Sequence, residues 1–128
     1  MMVKTRELIG DQLDWAVREA LINSEDSRGR DALISETVLG IKPAPYSKWW
    51  MFGGVIIERG FIELNTLPAG LSIKNHPTYA LGDVWEAMVR LEGEDAVGCC
   101  GPTPLIAAMR CFVASKFGDE VDIPDELL

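Results

Sequence analysis

A single histidine, His76, occurs in 128 residues, and the three cysteines stand as an adjacent pair, Cys99 and Cys100, plus Cys111. Without a second histidine or a Cys-x-x-Cys, the ligand spacing of a zinc site is missing. No metal is expected, and no cofactor. His76 with Cys99 or Cys100 would make a thiol–imidazole pair of the kind nucleophilic enzymes use. No third residue orients that pair, and His76-Pro77 reads as a turn, so no catalytic residue is assigned. Three cysteines without framework spacing fit a reducing compartment, where a vicinal disulfide is not expected. Basic residues are also scarce: 12 against 20 acids, for a formal charge of −8. The basic residues are scattered, and a protein that neutralises phosphates needs a basic face, so direct nucleic-acid binding is disfavoured. Nor do the acids build the dense surface of a DNA decoy. They cluster only at Glu25-Asp26, Glu92 to Asp95 and Asp119 to Glu126, as solvated loops and a tail do. No apolar run is long enough to span a bilayer and no charged-then-apolar leader opens the chain, so a cytosolic protein without a membrane partner is expected. There is no P-loop, dinucleotide fingerprint, internal repeat or low-complexity stretch.

What is present is an ordinary globular composition, 48% apolar and 25% charged, at a length that fits one domain over residues 1–128. The best-ordered stretch is Gly101 to Gly118. Thr103 suits an N-cap, Pro104 the first helical position and Gly118 the stop. At about 100° per residue, Leu105, Ala108, Met109, Phe112 and Val113 share a face. Ala107, Cys111 and Ala114 opposite are small enough for another backbone to approach. The pattern predicts a buried central helix.

Upstream, Thr5 suits the cap of a first turn. Leu13, Ala16, Val17, Ala20 and Leu21 predict an amphipathic helix over Asp11 to Asn23, with Asp14 and Arg18 paired on its surface. Residues 23–30 read as a loop, and 31–39 as either a short helix or a strand. Tyr46 to Phe52 reads as an aromatic loop ending in Gly53-Gly54, followed by a single helical turn over Val55 to Arg59. Short strands are expected at Phe61 to Leu64 and Leu71 to Lys74. Val84 to Leu91 is the clearest strand, although its Glu, Ala and Met also allow a helix. In the tail, Val121 and Ile123 suit an extended segment. The fold class is α+β: two main helices on an irregular antiparallel sheet of three or four short strands.

Two surfaces stand out. The first is a hypothetical anion site. The amides at the Gly101–Thr103 helix start would receive a phosphate or carboxylate, with Arg110 about two turns on. Arg110 is charged within an apolar helix and needs a partner, for which Glu58 and Asp14 are the natural candidates. A structural ion pair is the plainer explanation. The second is a protein interface formed by Tyr46, Trp49, Trp50 and Phe52, since exposed aromatics supply much of the energy at interfaces. The alternative is that these rings fold back to close a thin core.

The stretch Gly101-Pro-Thr-Pro-Leu-Ile-Ala-Ala-Met-Arg-Cys-Phe-Val-Ala-Ser-Lys, with Gly118 to Pro124 after it, resembles the C-terminal signature of the NinX-like phage and prophage family of unknown function. Leu13-Asp-Trp-Ala-Val17 and Gly53-Gly-Val-Ile-Ile-Glu-Arg59 match the same family in the same order. Val55 stands where the family pattern has proline, and Lys48-Trp-Trp departs from its short polar-Trp segment. The resemblance implies a phage accessory protein in the cytoplasm of a bacterial host, with a host or phage protein as partner, and supplies no catalytic residue. The residues themselves favour a non-enzymatic module that binds another protein or a second copy of itself as a homodimer; the alternative is a small anionic-ligand binder or enzyme that uses the Gly101–Thr103 helix start with Arg110.

Overall fold

The computed structural model describes residues 1–23, 33, 36–38, 40–41, 43–66, 84–90 and 96–128. The predicted central helix forms over Pro104–Phe117. Thr103 Oγ1 accepts the Ile106 amide at 3.1 Å, and Gly118 ends the helix at φ 82°. We call this helix α3; before it, α1 spans Gly10–Ile22 and α2 spans Trp50–Gly60. Leu105, Ala107, Ala108, Met109, Cys111 and Val113 are all buried, so α3 is covered on both sides. Each fully buried Leu, Met or Val contributes roughly 1.5–3 kcal/mol.

Strands β2 (Glu63–Thr66), β3 (Trp85–Arg90) and β4 (Ala96–Gly101) form an antiparallel sheet in that order. Its register pairs Leu64 with Ala87 and Ala87 with Cys99. Strands β3 and β4 pack on one side of α3, and α1 and α2 on the other. Gly101 lets β4 abut the helix. A Cβ there would lie 2.6 Å from Ala107 N, closer than atoms tolerate. The strand expected at Val84 to Leu91 is present as β3, with Ala87 buried, Trp85 and Val89 half-buried and Arg90 exposed.

A second sheet pairs β1 (Met2–Lys4) with β5 (Glu120–Asp122), Val3 opposite Val121. The buried tail residues Val121 and Ile123 were expected to pack in extended form, and they do. Their partner strand β1 was not foreseen, since three residues are too few to show a period. The Met1 ammonium holds the two ends together by donating to Asp122 Oδ1 at 2.8 Å.

Several local expectations change. Thr5 caps no helix; its hydroxyl donates to the Gly118 carbonyl at 2.7 Å and ties the start of the chain to the end of α3. Five α1 residues, Leu13, Ala16, Val17, Ala20 and Leu21, are buried as predicted, but Asp14 is buried with them. The loop and single turn expected over 46–59 are instead a turn followed by the eleven-residue α2. The glycine pair does not break it, because Gly53 faces the core. A Cβ there would collide with the Tyr46 carbonyl oxygen and reach within 2.8 Å of Leu105 Cδ2. Phe61 takes the left-handed position (φ 52°) after α2, and β2 starts two residues later than expected. Residues 33 and 36–38 are helical. The strand expected at Leu71 to Lys74, the loop over 24–30 and His76 lie outside the described residues.

Candidate functional site

The segment from Ala44 to Phe52 is pinned by two buried carboxylates. Pro45 supplies the turn, its carbonyl accepting the amides of Lys48 and Trp49, both at 3.1 Å. Glu36 reaches in from the 36–38 helical stretch. Its Oε1 accepts Tyr46 O–H at 2.8 Å and Ala44 N–H at 3.0 Å, and its Oε2 accepts Arg18 Nε at 2.9 Å. From α1, Asp14 Oδ1 accepts Ser47 N–H at 2.8 Å. Burial raises the Asp14 carboxyl above its ordinary value, and the Ser47 hydrogen bond only partly offsets it. Burial and the hydrogen bond to Glu36 likewise push the Tyr46 phenol well above its usual range. Asp14 and Arg18 therefore do not pair; each leaves α1 for a different partner across the interior.

This network divides the aromatic segment. Tyr46 and Phe52 belong to the core, their rings meeting edge-on with centroids 6.3 Å apart. Trp49, Trp50 and Met51 stay outside, at 56%, 54% and 58% exposure, with Trp49 tilted against Phe52 at 6.2 Å. The four-residue surface expected from sequence is thus two exposed indoles and two buried rings. Met51 joins them. The sequence does not single out Glu36 or Ser47, since a carboxylate in an ambiguous stretch carries no mark of burial.

The other expected group does not assemble around a ligand. Arg110 is buried, but Nε donates to the Leu8 carbonyl at 2.8 Å and Nη1 to the Cys100 carbonyl at 2.9 Å. Of the partners expected for it, Asp14 accepts the Ser47 amide and Glu58 is exposed on α2. Carbonyls suit the guanidinium because the 3₁₀ turn beside Leu8 and the end of β4 both stop against α3. Gly101 is filled by packing against Ala107, and Thr103 is occupied as the cap. A cavity of about 860 Å³ lies elsewhere, between Lys4, Arg6, Val97, Phe117 and Glu120, and includes none of the four residues of the anion-site hypothesis. Its acids and bases together select no charge. The three cysteines are buried and none is in a disulfide. Burial pushes the Cys111 thiol up to about 12, far from a nucleophile. Among the described residues, no three His, Cys, Asp or Glu side chains gather as metal ligands.

A family model described as Bacteriophage P22, NinX matches residues 4–116. The chain belongs to that family. The NinX match takes in α1, the Trp49–Met51 surface, α2 and nearly all of α3. It also spans residues 65–100, where no family motif was recognised in the sequence. It stops before Gly118 to Pro124, the last part of the resemblance drawn from sequence. No curated protein matches the chain. No helix among the described residues is long and apolar enough to cross a membrane.

Proposed function

We propose that this NinX-family chain is a phage accessory protein that binds another protein, through Trp49, Trp50 and Met51, in the cytoplasm of the bacterial host. The observation that carries this is the pairing of exposure with rigidity: three consecutive large apolar side chains stand outside a turn fixed by Glu36, Asp14, Tyr46 and Phe52. Burying a mobile loop in an interface costs ordering entropy, and a turn already held in place avoids most of that cost. Tryptophan is among the side chains most often found to dominate binding energy. The net charge of −8 favours a protein partner over nucleic acid.

The test replaces Trp49 and Trp50 together by serine. Melting should stay within about 4 °C of the parent, about 1 kcal/mol for a chain of this size, because neither indole is buried. Cross-linked partners recovered from phage-infected host cells should disappear. A larger fall in melting temperature returns the indoles to the core; unchanged recovery of partners removes them from the interface.

A further inference from the structure

The six residues of β4 read Ala-Val-Gly-Cys-Cys-Gly. They include neither charge nor proline, two devices that keep a sheet edge from pairing with another chain. Among the described residues, β4 has a neighbouring strand on its β3 side alone. Two hydrogen bonds at its end fix which way its main chain points. The Gly101 carbonyl accepts the Val84 amide, just ahead of β3, at 3.1 Å. The Cys100 carbonyl accepts Arg110 Nη1 at 2.9 Å, from the same guanidinium that reaches Leu8 through Nε. Main-chain groups of successive residues point to opposite sides of a strand. Those of Gly98 and Ala96 therefore point away from β3, as those of Cys100 do. The cavity of about 860 Å³ lies on that side, since Val97 and Gly98 line it with Lys4 and Arg6 and no residue of β3 does. Ala114 and Phe117 of α3 line it as well. Two ties hold its walls together: Thr5 Oγ1 donates to the Gly118 carbonyl, and Arg110 joins Leu8 to Cys100.

We infer that this groove takes up an extended segment of a partner protein as an added strand, hydrogen-bonded to β4 at Ala96 and Gly98. The groove itself names the occupant. A row of main-chain donors and acceptors is matched by another extended backbone, the mode in which a peptide adds a strand to a sheet edge. Gly98 has no side chain to keep that backbone away. The volume falls within the range of about 300–1,000 Å³ usual for binding sites, so a few residues fill it. Lys4 and Arg6 stand there beside Asp119 and Glu120, so a run of either charge would meet its like, and the segment is neutral. Alternate side chains of a strand share a face. Every second residue of the segment therefore meets Ala114 and Phe117 and is apolar. Arg110 already occupies the Cys100 carbonyl, so pairing stops there; the contact is short and its affinity modest. Neither Trp49, Trp50 nor Met51 lines the groove. This contact is separate from theirs and does not depend on it.

Amide hydrogen exchange on the full chain tests the edge first. Without a ligand, Ala96 and Gly98 should exchange freely, while Val97 and Cys99, turned toward β3, are protected. A Gly98 amide as protected as its neighbours overturns the inference. So does protection that grows with protein concentration, which gives the edge to a second copy. Random peptides of about six residues, the usual strand length, are then selected on the full chain, and those recovered are capped and titrated. They should be neutral and apolar at alternate positions. At about ten times its Kd such a peptide should slow Gly98 exchange about tenfold. Gly98→Pro removes a donor on the groove side only, where a sheet edge admits proline, and a Cβ there meets only Ala87 O, at an ordinary 3.6 Å. It should raise the peptide's Kd by about tenfold or more while the chain still unfolds in one cooperative step. If that variant fails to fold, Phe117→Ala, at a side chain 37% exposed on the groove, should raise the Kd by about threefold or more. The serine variant at Trp49 and Trp50 should bind the peptide as the parent does. A selection that recovers no peptide, a peptide that leaves Gly98 exchange unchanged, a Kd indifferent to the groove variant, or binding lost with the two indoles each overturns the inference.

Discussion

Replacing Glu36 by alanine should cost more than any surface substitution in this chain, because one carboxylate holds three donors, two from the 44–46 turn and one from α1. Its loss strips the buried Tyr46 hydroxyl and the buried Ala44 amide of their shared acceptor, Oε1, at 2.8 and 3.0 Å. A buried donor left without a partner costs about 1–3 kcal/mol, so the two together cost about 4 kcal/mol. Arg18 adds little, since it is partly exposed and turns to water. Against a total stability of roughly 5–15 kcal/mol, that is a large fraction. It corresponds to a fall in melting temperature on the order of 15 °C, read by circular dichroism with a urea titration for the free energy. Tyr46→Phe removes a donor and leaves no orphan on the ring, so it should cost only about 1 kcal/mol. In the double variant the hydroxyl is no longer stranded, and the combined loss should fall short of the sum by about 1–2 kcal/mol. A Glu36→Ala variant that melts within about 4 °C of the parent, a difference of about 1 kcal/mol, would refute the clamp. Strict additivity with Tyr46→Phe would refute the shared acceptor.

Arg110→Met should destabilise by about 2–4 kcal/mol, two charged hydrogen bonds less the relief of a desolvated charge, with the urea midpoint as the measure. Unchanged melting would turn Arg110 from a structural brace into a residue free to serve a ligand. Gly53→Ala should cost about 1–3 kcal/mol by overpacking against Tyr46 and Leu105, whereas Gly54→Ala should be neutral or gain up to about 1 kcal/mol of helix propensity. Comparing the two melts separates the core face of α2 from its outward face. Asp14 has a folded-state pKa above its unfolded value, so the folded chain binds that proton more tightly. Its ionisation therefore costs stability above the folded pKa, and the cost is relieved as pH falls toward the ordinary carboxylate value near 4. Asp14→Asn keeps an acceptor for Ser47 and should melt no lower at pH 7, with a weaker gain in relative stability on acidification just above pH 4.

Much of the fold was legible because it rests on local signals that tertiary contacts reinforce. The cap, proline and terminal glycine of α3 are recognisable wherever they occur, and the apolar spacing of α1 repeats often enough to outweigh any competing pattern. Strand β3 was legible for the same reason: Trp85, Ala87 and Val89 alternate with Glu86, Met88 and Arg90, two of them charged. Helix α2 was not, because two consecutive glycines are poor helix formers and the aromatic run before them shows no period. What overrides propensity there is a steric demand. Only a residue without a Cβ fits Gly53 beneath the Tyr46 carbonyl, and the helix accepts that cost for the close approach. Strand β1 escaped detection because its stability lies in pairing with β5, 118 residues away in the register of Val3 with Val121.

The site was legible by residue type but not by role. Trp49 and Trp50 announce themselves in a sequence with few aromatics, and they stand outside as an interface requires. Tyr46 and Phe52 announce themselves equally and lie inside. Aromatic identity alone could not divide them, since a ring is equally suited to a core and to a contact. The division is made by what stands opposite each ring. Tyr46 is drawn inward because a buried carboxylate needs its hydroxyl, and that carboxylate comes from a stretch whose secondary structure the sequence left ambiguous. Arg110 shows the same limit from the other side. Its burial follows from its place in an apolar helix, but it donates to the main-chain carbonyls of Leu8 and Cys100, a group that every residue possesses and no residue type advertises. A buried charge met by the backbone is invisible in sequence, while one met by an acid is only a guess among acids. Both corrections have one cause: side-chain chemistry states what a group needs, and only the packing of distant elements decides which neighbour supplies it.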